Sequence, residues 1–480
     1  MVLYTKGIQT EIMTIKLRFL GAARNVTGSR YYLEANNGRF LIDCGLYQER
    51  ELRGRNWDPF PVPPDSIDAV LLTHAHLDHC GLLPKLVRDG FRGRVYCTAA
   101  TADIAEIMLL DAAKLQEEDA AFKRRRHERE GRRGPYPEVP LYTVDDANAS
   151  LLLFSPVQYR KTIALGDGVE ATFYDAGHVL GSSMIVVSVL QGGERRTILF
   201  SGDIGRWDVP IVRDPTVFAE ADYVLVESTY GDRLHEESSE VANRLAQAVN
   251  STLNAGGNIV VPSFALERAQ EVLYHMNDLI IDNRIPRVLV FLDSPMAVRI
   301  TEVFTHHPDL YDQEMTRLVG INKSPFDLPG LKMVSTTDES KEINYVKSGA
   351  MIIAGSGMCT GGRIKHHLVT NISRPESTVL FVGYQAAGTL GRQIVDGARE
   401  VRILGQYYPV RARVVQIHGF SAHADRDELF RWLSGLRRGP RHLFVTHGEP
   451  EVAEAFGQFL REKTGWNVSV PEFAAEVSLH

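Results

Sequence analysis

Residues 73–79 of the chain read Thr-His-Ala-His-Leu-Asp-His, directly after the apolar run Ala-Val-Leu-Leu. Four side chains that can bind a metal therefore follow a predicted strand within six residues. Side chains two residues apart in an extended chain point to the same side, so His74 and His76 can face one cation. Asp78 and His79, on the following turn, can then reach a second cation. The stretch predicts a hydrolytic site with two metals roughly 3.5–4 Å apart, which together make hydroxide available at neutral pH.

Further ligands stand at the ends of other predicted strands. His178 lies in the glycine-flanked stretch Ala-Gly-His-Val-Leu-Gly, and the apolar run before Asp203 ends on that aspartate. Asp203 is the natural ligand to bridge the two cations. Asp43 ends an earlier apolar strand and could orient the first histidines from behind, as metal-bound imidazoles usually require. Together these residues favour a metal site over a surface loop that happens to be rich in histidine.

In this order along the chain, these residues resemble the first four motifs of the metallo-β-lactamase fold. Glu227 lies in the segment Val-Leu-Val-Glu-Ser-Thr-Tyr-Gly, which looks like the first motif of the β-CASP nucleases. Those enzymes are related to the cleavage subunit of the pre-mRNA 3′-end machinery and to bacterial and archaeal ribonucleases. Four further segments look like the same family, and the resemblance covers nearly the whole chain: 262–271, 355–358, 361–363 and 419–425.

The resemblance implies an α/β fold: a four-layered αββα metallo-β-lactamase domain that is interrupted by an inserted α/β β-CASP domain. We place the first domain at residues 14–228, the insertion at 229–393 and the return to the first domain at 394–480. The composition agrees with this, because 480 residues with 44% hydrophobic and 24% charged side chains suit a globular protein with more than one core. The sequence has no long apolar run and no export signal, so we expect a cytoplasmic protein without a membrane span.

The net charge of −7 argues against a protein that coats nucleic acid through bulk charge. A local basic run nevertheless begins at Lys123 and ends at Arg133, within a predicted helical insertion over about residues 103–145. One interpretation is a solvated helix face. The other follows from the resemblance, which puts such an insertion beside the active-site entrance, where it could guide a polyanion.

Two turns of the inserted domain predict phosphate binding. The first leads from a strand into a helix and offers free backbone N–H groups and the hydroxyl of Ser263, with Arg268 one turn along. The second, Gly355-Ser356-Gly357, follows an apolar strand and lets backbone amides approach a phosphate closely. Each turn alone could be an ordinary connection between a strand and a helix.

The resemblance implies that His423 is the last ligand of the second metal. His447, also at a predicted strand end, is its rival, but we rank it second because the His-Gly-Glu segment is not a ligand in the resemblance. A histidine at the position of His423 is typical of the RNA-processing members of the family, whereas the DNA-repair members carry an aliphatic residue there. His423 therefore argues for RNA.

The sequence departs from the family at one position. The family pairs the acid that Glu227 matches with a histidine proposed to protonate the leaving oxygen. Gly388–Ile394 looks like the stretch that carries this histidine, but Gln393 stands at its position, and glutamine cannot act as a general acid. His366 or His367, or a metal-bound water, could take the role.

We therefore predict a zinc-dependent ribonuclease that cleaves single-stranded RNA in RNA processing or decay, as an endonuclease, a 5′-3′ exonuclease or both. We expect two Zn²⁺, with Mn²⁺ as an alternative, and leave a homodimer open. The alternatives are a hydrolase of small thioesters or lactams, which the large insertion disfavours, and a non-catalytic RNA-binding scaffold, whose signature would be lost ligands. The predicted catalytic residues are Asp43, Asp78, Asp203, Glu227 and His423. The predicted metal ligands are His74, His76, Asp78, His79, His178, Asp203 and His423.

Overall fold

The computed structural model describes residues 15–134, 136–235 and 238–480. The described strands are, in chain order, β1 Ile15–Gly21, β2 Arg30–Ala35, β3 Gly38–Ile42, β4 Ala69–Leu71, β5 Arg94–Thr98, β6 Phe154–Val157, β7 Thr162–Gly166, β8 Val169–Asp175, β9 Ser183–Gln191, β10 Glu194–Phe200, β11 Tyr223–Glu227, β12 Ile259–Pro262, β13 Leu289–Asp293, β14 Leu331–Met333, β15 Ala350–Ala354, β16 Thr378–Phe381, β17 Glu400–Ile403, β18 Gln406–Pro409, β19 Arg413–Gln416, β20 His442–Thr446, β21 Val468–Ser469 and β22 Glu476–Leu479. The described α-helices are α1 Leu77–Cys80, α2 Leu83–Arg88, α3 Ala99–Glu130, α4 Val144–Leu151, α5 Ser238–Asn254, α6 Arg268–Ile281, α7 Pro295–His306, α8 Gln313–Gly320, α9 Thr337–Ile343, α10 Ile364–Asn371, α11 Leu390–Val395, α12 Arg426–Leu433 and α13 Pro450–Thr464.

Two seven-stranded sheets pack face to face and form the centre of the first domain. One has the order β22-β1-β2-β3-β4-β5-β6, and the other has the order β21-β20-β11-β10-β9-β8-β7. Phe19 of the first sheet and Phe200 and Phe444 of the second share one buried apolar cluster. The rings of Phe19 and Phe444 lie 5.2 Å apart, so the two inner faces are in direct contact.

Strand β11 shows how the sequence builds the layers. All five of its residues are buried, as expected for a strand that is covered on both faces. Tyr223 and Leu225 face the other sheet, whereas Val224 and Val226 pack with α12 and α13, because successive side chains of a strand point to opposite sides. On the outer face of the first sheet, helices α2, α3 and α4 pack in the same way. The predicted αββα arrangement is confirmed.

The third sheet forms the inserted domain and has the order β14-β13-β15-β12-β16-β19. All of its strand pairs are parallel, and helices cover both faces, with α6 and α7 on one side and α10 and α11 on the other. We expected this domain to end at residue 393. That boundary lies inside α11, and β19 still pairs with β16, so the sheet carries the insertion on to Gln416.

The predicted metal-site residues meet because several of their strands are parallel neighbours. Strands β3, β4 and β5 run parallel in the first sheet, and β10, β11 and β20 run parallel in the second. The carboxyl ends of neighbouring parallel strands meet at one edge of a sheet, where ligands of α/β proteins usually bind. The residues at or just after these strand ends are Asp43, the 73–79 stretch, Asp203, Glu227 and His447.

Candidate metal centre and reaction site

A first group of four ligand atoms converges at this edge: His74 Nε2, His76 Nδ1, His178 Nε2 and an oxygen of Asp203. His76 Nδ1 lies 3.0 Å from His74 Nε2 and 3.3 Å from His178 Nε2. Asp203 Oδ2 lies 3.5 Å from His74 Nε2 and 3.6 Å from His178 Nε2. Ligand atoms about 2.1 Å from a tetrahedral zinc are about 3.4 Å from one another, so these spacings fit one zinc-sized cation.

A second group lies on the other side of the Asp203 carboxylate and contains Asp78, His79 and His447. His79 Nε2 is 3.0 Å from His447 Nε2, and Asp78 Oδ2 is 3.8 Å from the same nitrogen of His447. Asp203 Oδ1 lies 3.3 Å from His79 Nε2 and 3.6 Å from His447 Nε2. This oxygen is buried and accepts no hydrogen bond from the described residues. A buried acceptor of this kind is what a second cation would satisfy.

Surrounding groups fix the orientation of the histidines. Asp43 Oδ2 accepts a hydrogen bond from His79 Nδ1 at 2.7 Å, and the carbonyl oxygen of Ala422 lies 3.2 Å from His178 Nδ1. Thr229 Oγ1 lies 3.2 Å from His447 Nδ1. These partners direct Nε2 of each ring into the metal groups, as the outer partners of metal-bound histidines usually do.

Burial and neighbouring charges set the protonation states of the first group. It lowers the pKa of His74 and His178 well below the usual value and that of His76 to about 4, and the neighbouring imidazoles add to the effect. Burial alone would raise the pKa of Asp203, but the surrounding histidines hold it well below its usual value. Three neutral imidazoles and an ionised carboxylate are the protonation states that metal binding requires.

His423 belongs to neither of these two groups but to a third group of possible ligands, with Asp203 and Glu227. Its Nδ1 lies 3.2 Å from both carboxylate oxygens of Glu227 and 3.9 Å from Asp203 Oδ2. Glu227 is fully buried, and its Oε1 accepts a hydrogen bond from the backbone N–H of Ile204 at 2.6 Å. Burial alone would lower the pKa of His423, but Glu227 and Asp203 raise it to about 9. The protonated form of the imidazole is therefore favoured.

These contacts revise two expectations from the sequence. We ranked His423 above His447 as a metal ligand, but the structure groups His447 with Asp78 and His79, and His423 with Asp203 and Glu227. We also looked for the histidine partner of Glu227 near Gln393, whereas the partner is His423 itself. No signal in the sequence separates His447 from His423, because the position of His447 depends on β20 becoming the parallel neighbour of β11, the strand that ends on Glu227.

The other candidates for this partner lie elsewhere. Gln393 is exposed on α11, and His366 is exposed on α10. His367 is fully buried, and its Nε2 lies 2.6 Å from Asp293 Oδ2 within the inserted domain. The departure that we noted at Gln393 therefore removes no group from the reaction site.

The Ser263 hydroxyl and Arg268 Nη1 of the first predicted phosphate-binding turn have partners within the protein, and phosphate binding there stays a prediction. The hydroxyl of buried Ser263 donates to the carbonyl oxygen of Phe264 at 3.0 Å, and Arg268 Nη1 lies 3.2 Å from Glu271 Oε2. Helix α6 begins at Arg268, and Glu267 is its N-cap residue. Sequence reasoning missed this glutamate, whose Oε2 accepts a hydrogen bond from the N–H of Leu180 at 3.3 Å. The insertion thereby touches the loop that carries His178.

The second predicted turn, Gly355 to Gly357, lies at the carboxyl end of β15. Ser356 Oγ accepts hydrogen bonds from the N–H groups of Thr360 and Gly361 at 3.0 and 3.3 Å. A Cβ atom on Gly357 would approach the ring of Phe264 to 2.8 Å. Internal packing therefore accounts for Gly357 and for the Ser356 hydroxyl, and phosphate binding at this turn stays a prediction.

None of the helices in the described part of the chain is long and apolar enough to cross a membrane.

Comparison with known proteins agrees with the fold and the site. Residues 24–218 match the metallo-beta-lactamase superfamily, residues 269–394 match the Beta-Casp domain, and residues 407–471 match the Zn-dependent metallo-hydrolase RNA specificity domain. The fold and the ligand groups define a metal-dependent hydrolase of this superfamily. Within it, the chain belongs to the β-CASP family.

Several relatives match nearly the whole chain. Ribonuclease TTHA0252 of Thermus thermophilus is 40% identical over 457 residues, which cover 95% of this chain and 98% of the relative. Transcription termination factor FttA of Methanocaldococcus jannaschii is 32% identical over 460 residues, covering 93% of this chain and 69% of that protein. Among solved structures, a protein of unknown function from Enterococcus faecalis V583 has the same fold, with a TM-score of 0.55, 12% identity, and coverage of 97% of this chain and 100% of that one.

Proposed function

We propose that the protein is a two-zinc ribonuclease that hydrolyses phosphodiester bonds of single-stranded RNA. The observation that carries this proposal is the position of Asp203. One of its oxygens lies within 3.6 Å of His74 and His178, and the other lies within 3.6 Å of His79 and His447. A shared carboxylate of this kind is typical of two-metal hydrolytic sites.

Two sets of residues that share Asp203 would bind the two cations. His74, His76, His178 and Asp203 would hold one cation, and Asp78, His79, His447 and Asp203 the other. Bound there, the cations would supply a nucleophile at neutral pH and stabilise the charge that develops on the phosphoryl oxygens. Asp43 keeps His79 in the required orientation, because it accepts the proton of Nδ1.

The leaving oxygen needs a proton, and the contacts of His423 support it as the donor. Its Nδ1 is held by Glu227, which leaves Nε2 as the nitrogen that can reach substrate. The side chain is 21% exposed, whereas Glu227 behind it is fully buried. Glu227 thus stabilises the imidazolium before proton transfer and is not itself accessible, so we assign His423 as the general acid and Glu227 as its positioning residue.

Three features favour RNA over a small ester or lactam. The chain matches an RNA specificity domain, a relative that it covers almost completely is named a ribonuclease, and a complete parallel sheet is inserted beside the metal edge. The relatives named as transcription termination factors support a role in RNA processing or decay. A non-catalytic scaffold would have lost ligands, but both ligand groups are complete. Manganese in place of zinc, the endo- or exonucleolytic mode, a homodimer and a cytoplasmic location stay predictions.

The proposal is tested by cleavage of 5′-labelled single-stranded RNA and of DNA with the same sequence. The proteins are the wild type, Asp78→Ala/His79→Ala, His423→Ala and, as a matched surface control, Gln393→Ala. Metal content is measured for each preparation, with and without chelator. Product lengths distinguish internal cutting from trimming at the 5′ end.

We expect the wild type and Gln393→Ala to cleave RNA, with activity lost to chelator and restored by zinc or manganese. The double substitution should remove cleavage and metal together, and His423→Ala should remove most cleavage with metal retained. If a wild-type preparation with two metals per chain leaves RNA intact, the ribonuclease assignment fails. Turnover of a thioester by that preparation would then favour the small-molecule hydrolase.

A further inference from the structure

Helix α3 begins against the metal centre. It contains 32 residues, which gives a length of about 48 Å at 1.5 Å per residue. The hydroxyls of Thr98, its N-cap, and of Thr101 both donate to the carbonyl oxygen of Gly181, at 2.7 and 2.8 Å. Gly181 is the third residue after His178, so the start of α3 is fixed to the loop that carries a metal ligand.

The direction of α3 follows from its contacts with α7. Asp103, near the start of α3, binds His307 at the end of α7, with 2.7 Å between Oδ2 and Nε2. Asp111, about two turns further along α3, interacts electrostatically with Arg299, which lies about two turns before His307. The two helices therefore run antiparallel. Helix α7 starts directly after β13, at the carboxyl edge of the inserted parallel sheet. Helix α3 therefore extends toward and beyond the edge where α/β sheets usually bind ligands.

The distal part of α3 has the composition of a polyanion-binding surface. Its buried face ends with Ala120 and His127. Between residues 121 and 134 there are seven basic residues and two acidic ones, in a chain whose net charge is −7. Phe122 and Tyr136 are 56% and 44% exposed beside this charge. Single-stranded nucleic acid is typically bound by arginines that follow its phosphate backbone and by exposed aromatic rings on which its bases stack.

Contacts at the end of the helix hold this surface in place. His127 is buried and hydrogen-bonded to Glu138, and Arg124 Nη2 donates to the carbonyl oxygen of Glu138 at 3.0 Å. The chain after the helix is thus tied back to it. An ordered surface loses less conformational entropy on binding than a free tail would.

We propose that residues 121–134, which we name the basic arm, bind the phosphate backbone of an RNA strand whose scissile bond lies at the metal centre. This inference rests on the ribonuclease function proposed above. The arm begins about 33 Å along α3, which corresponds to roughly ten stacked nucleotides at 3.4 Å each. An RNA of roughly 30 nucleotides can therefore occupy the metal centre and the basic arm together. A hexanucleotide (hexamer) bound at the metal centre cannot reach the arm.

The test compares wild type with Arg125→Gln/Arg129→Gln/Arg133→Gln, which neutralises three exposed arginines of the arm. The control, Arg437→Gln/Arg438→Gln/Lys463→Gln, removes the same charge from exposed residues. These lie near the start of β20 and the end of α13, and His447 follows the opposite end of β20. For RNAs of roughly 30 nucleotides and for a hexamer, fluorescence anisotropy gives affinity as a function of salt, and gel assays give kcat/KM.

We expect the arm variant to bind the long RNA roughly tenfold more weakly, with a log–log salt slope smaller by about two, since each phosphate contact contributes about 0.7. Cleavage of the hexamer and metal content should equal those of the wild type. The arm assignment is overturned if long-RNA binding is unchanged, if the control variant loses as much, or if the hexamer is affected equally. If wild type neither binds nor cleaves either RNA, the proposed function itself fails.

Discussion

His447 Nε2 lies 3.0 Å from His79 Nε2, although 368 positions separate the two residues in the chain. Strand β20 brings them together, because it adds to the sheet beside β11 and ends at the metal edge. His423, only 24 residues before His447, is instead bound to Glu227. Two histidines that look equivalent in the sequence therefore have different partners, and their substitution should have different consequences.

Replacing His447 with alanine should remove one metal per chain and abolish cleavage. Replacing His423 with alanine should leave both metals bound and lower kcat by about 100-fold to 10,000-fold, the usual contribution of a general acid. Metal content by atomic emission and single-turnover cleavage of RNA distinguish the two. Metal loss in His423→Ala with retention in His447→Ala would reverse the two assignments.

Asp43→Asn should weaken metal binding at the second group selectively. Asp43 has a positive φ of 60°, which asparagine tolerates well, and the amide oxygen can still accept from Thr73. The amide N–H₂, however, cannot accept the proton of His79 Nδ1. Loss of such an outer partner usually lowers metal affinity about 10-fold to 100-fold. Zinc titration against a competing chelator should show one weakened site and one unchanged site, and equal weakening of both would contradict the selective role.

Much of the metal edge could be predicted from the sequence, because each ligand of the first group ends a recognisable apolar strand. The choice between His423 and His447 could not, since it depends on which strands become neighbours across more than half of the chain. Phosphate binding at Ser263 and Arg268 stays a prediction. The pattern fits a helix N-terminus, but the sequence does not show that the Ser263 hydroxyl donates to Phe264 or that Arg268 pairs with Glu271. The residue at which the inserted domain ends could not be predicted either, because it depends on the pairing of β19 with β16.

Gly357→Ala should destabilise the protein by about 1–2 kcal/mol, because a Cβ atom would approach the Phe264 ring to 2.8 Å, and overpacking of this kind costs that order of energy. In a Phe264→Ala background the same substitution should cost much less, since the obstructing ring is gone. Urea denaturation of the four proteins in this cycle measures the coupling. An equal cost in both backgrounds would show that the glycine is required for something other than contact with Phe264.

Glu267→Gln should reduce the dependence of stability on pH. Burial, and then the charge of Glu271, raise the pKa of Glu267 to about 8. In the unfolded chain its pKa is about 4.3, so the folded state binds the proton more tightly. The stability contributed by this neutral carboxyl is fully present below about pH 4 and is lost as pH rises to about 8. Glutamine stays neutral and can still accept from the N–H of Leu180.

The expected result is that the wild type loses more stability than Glu267→Gln between about pH 5 and about pH 9, by an amount on the order of 3–5 kcal/mol. Exposed Glu472→Gln is the matched control, since it makes the same change on the surface and should follow the wild type. Thermal denaturation at several pH values measures all three. Parallel curves for wild type and Glu267→Gln would mean that Glu267 is ionised in the folded protein, and that its contact with the His178 loop is a charged hydrogen bond.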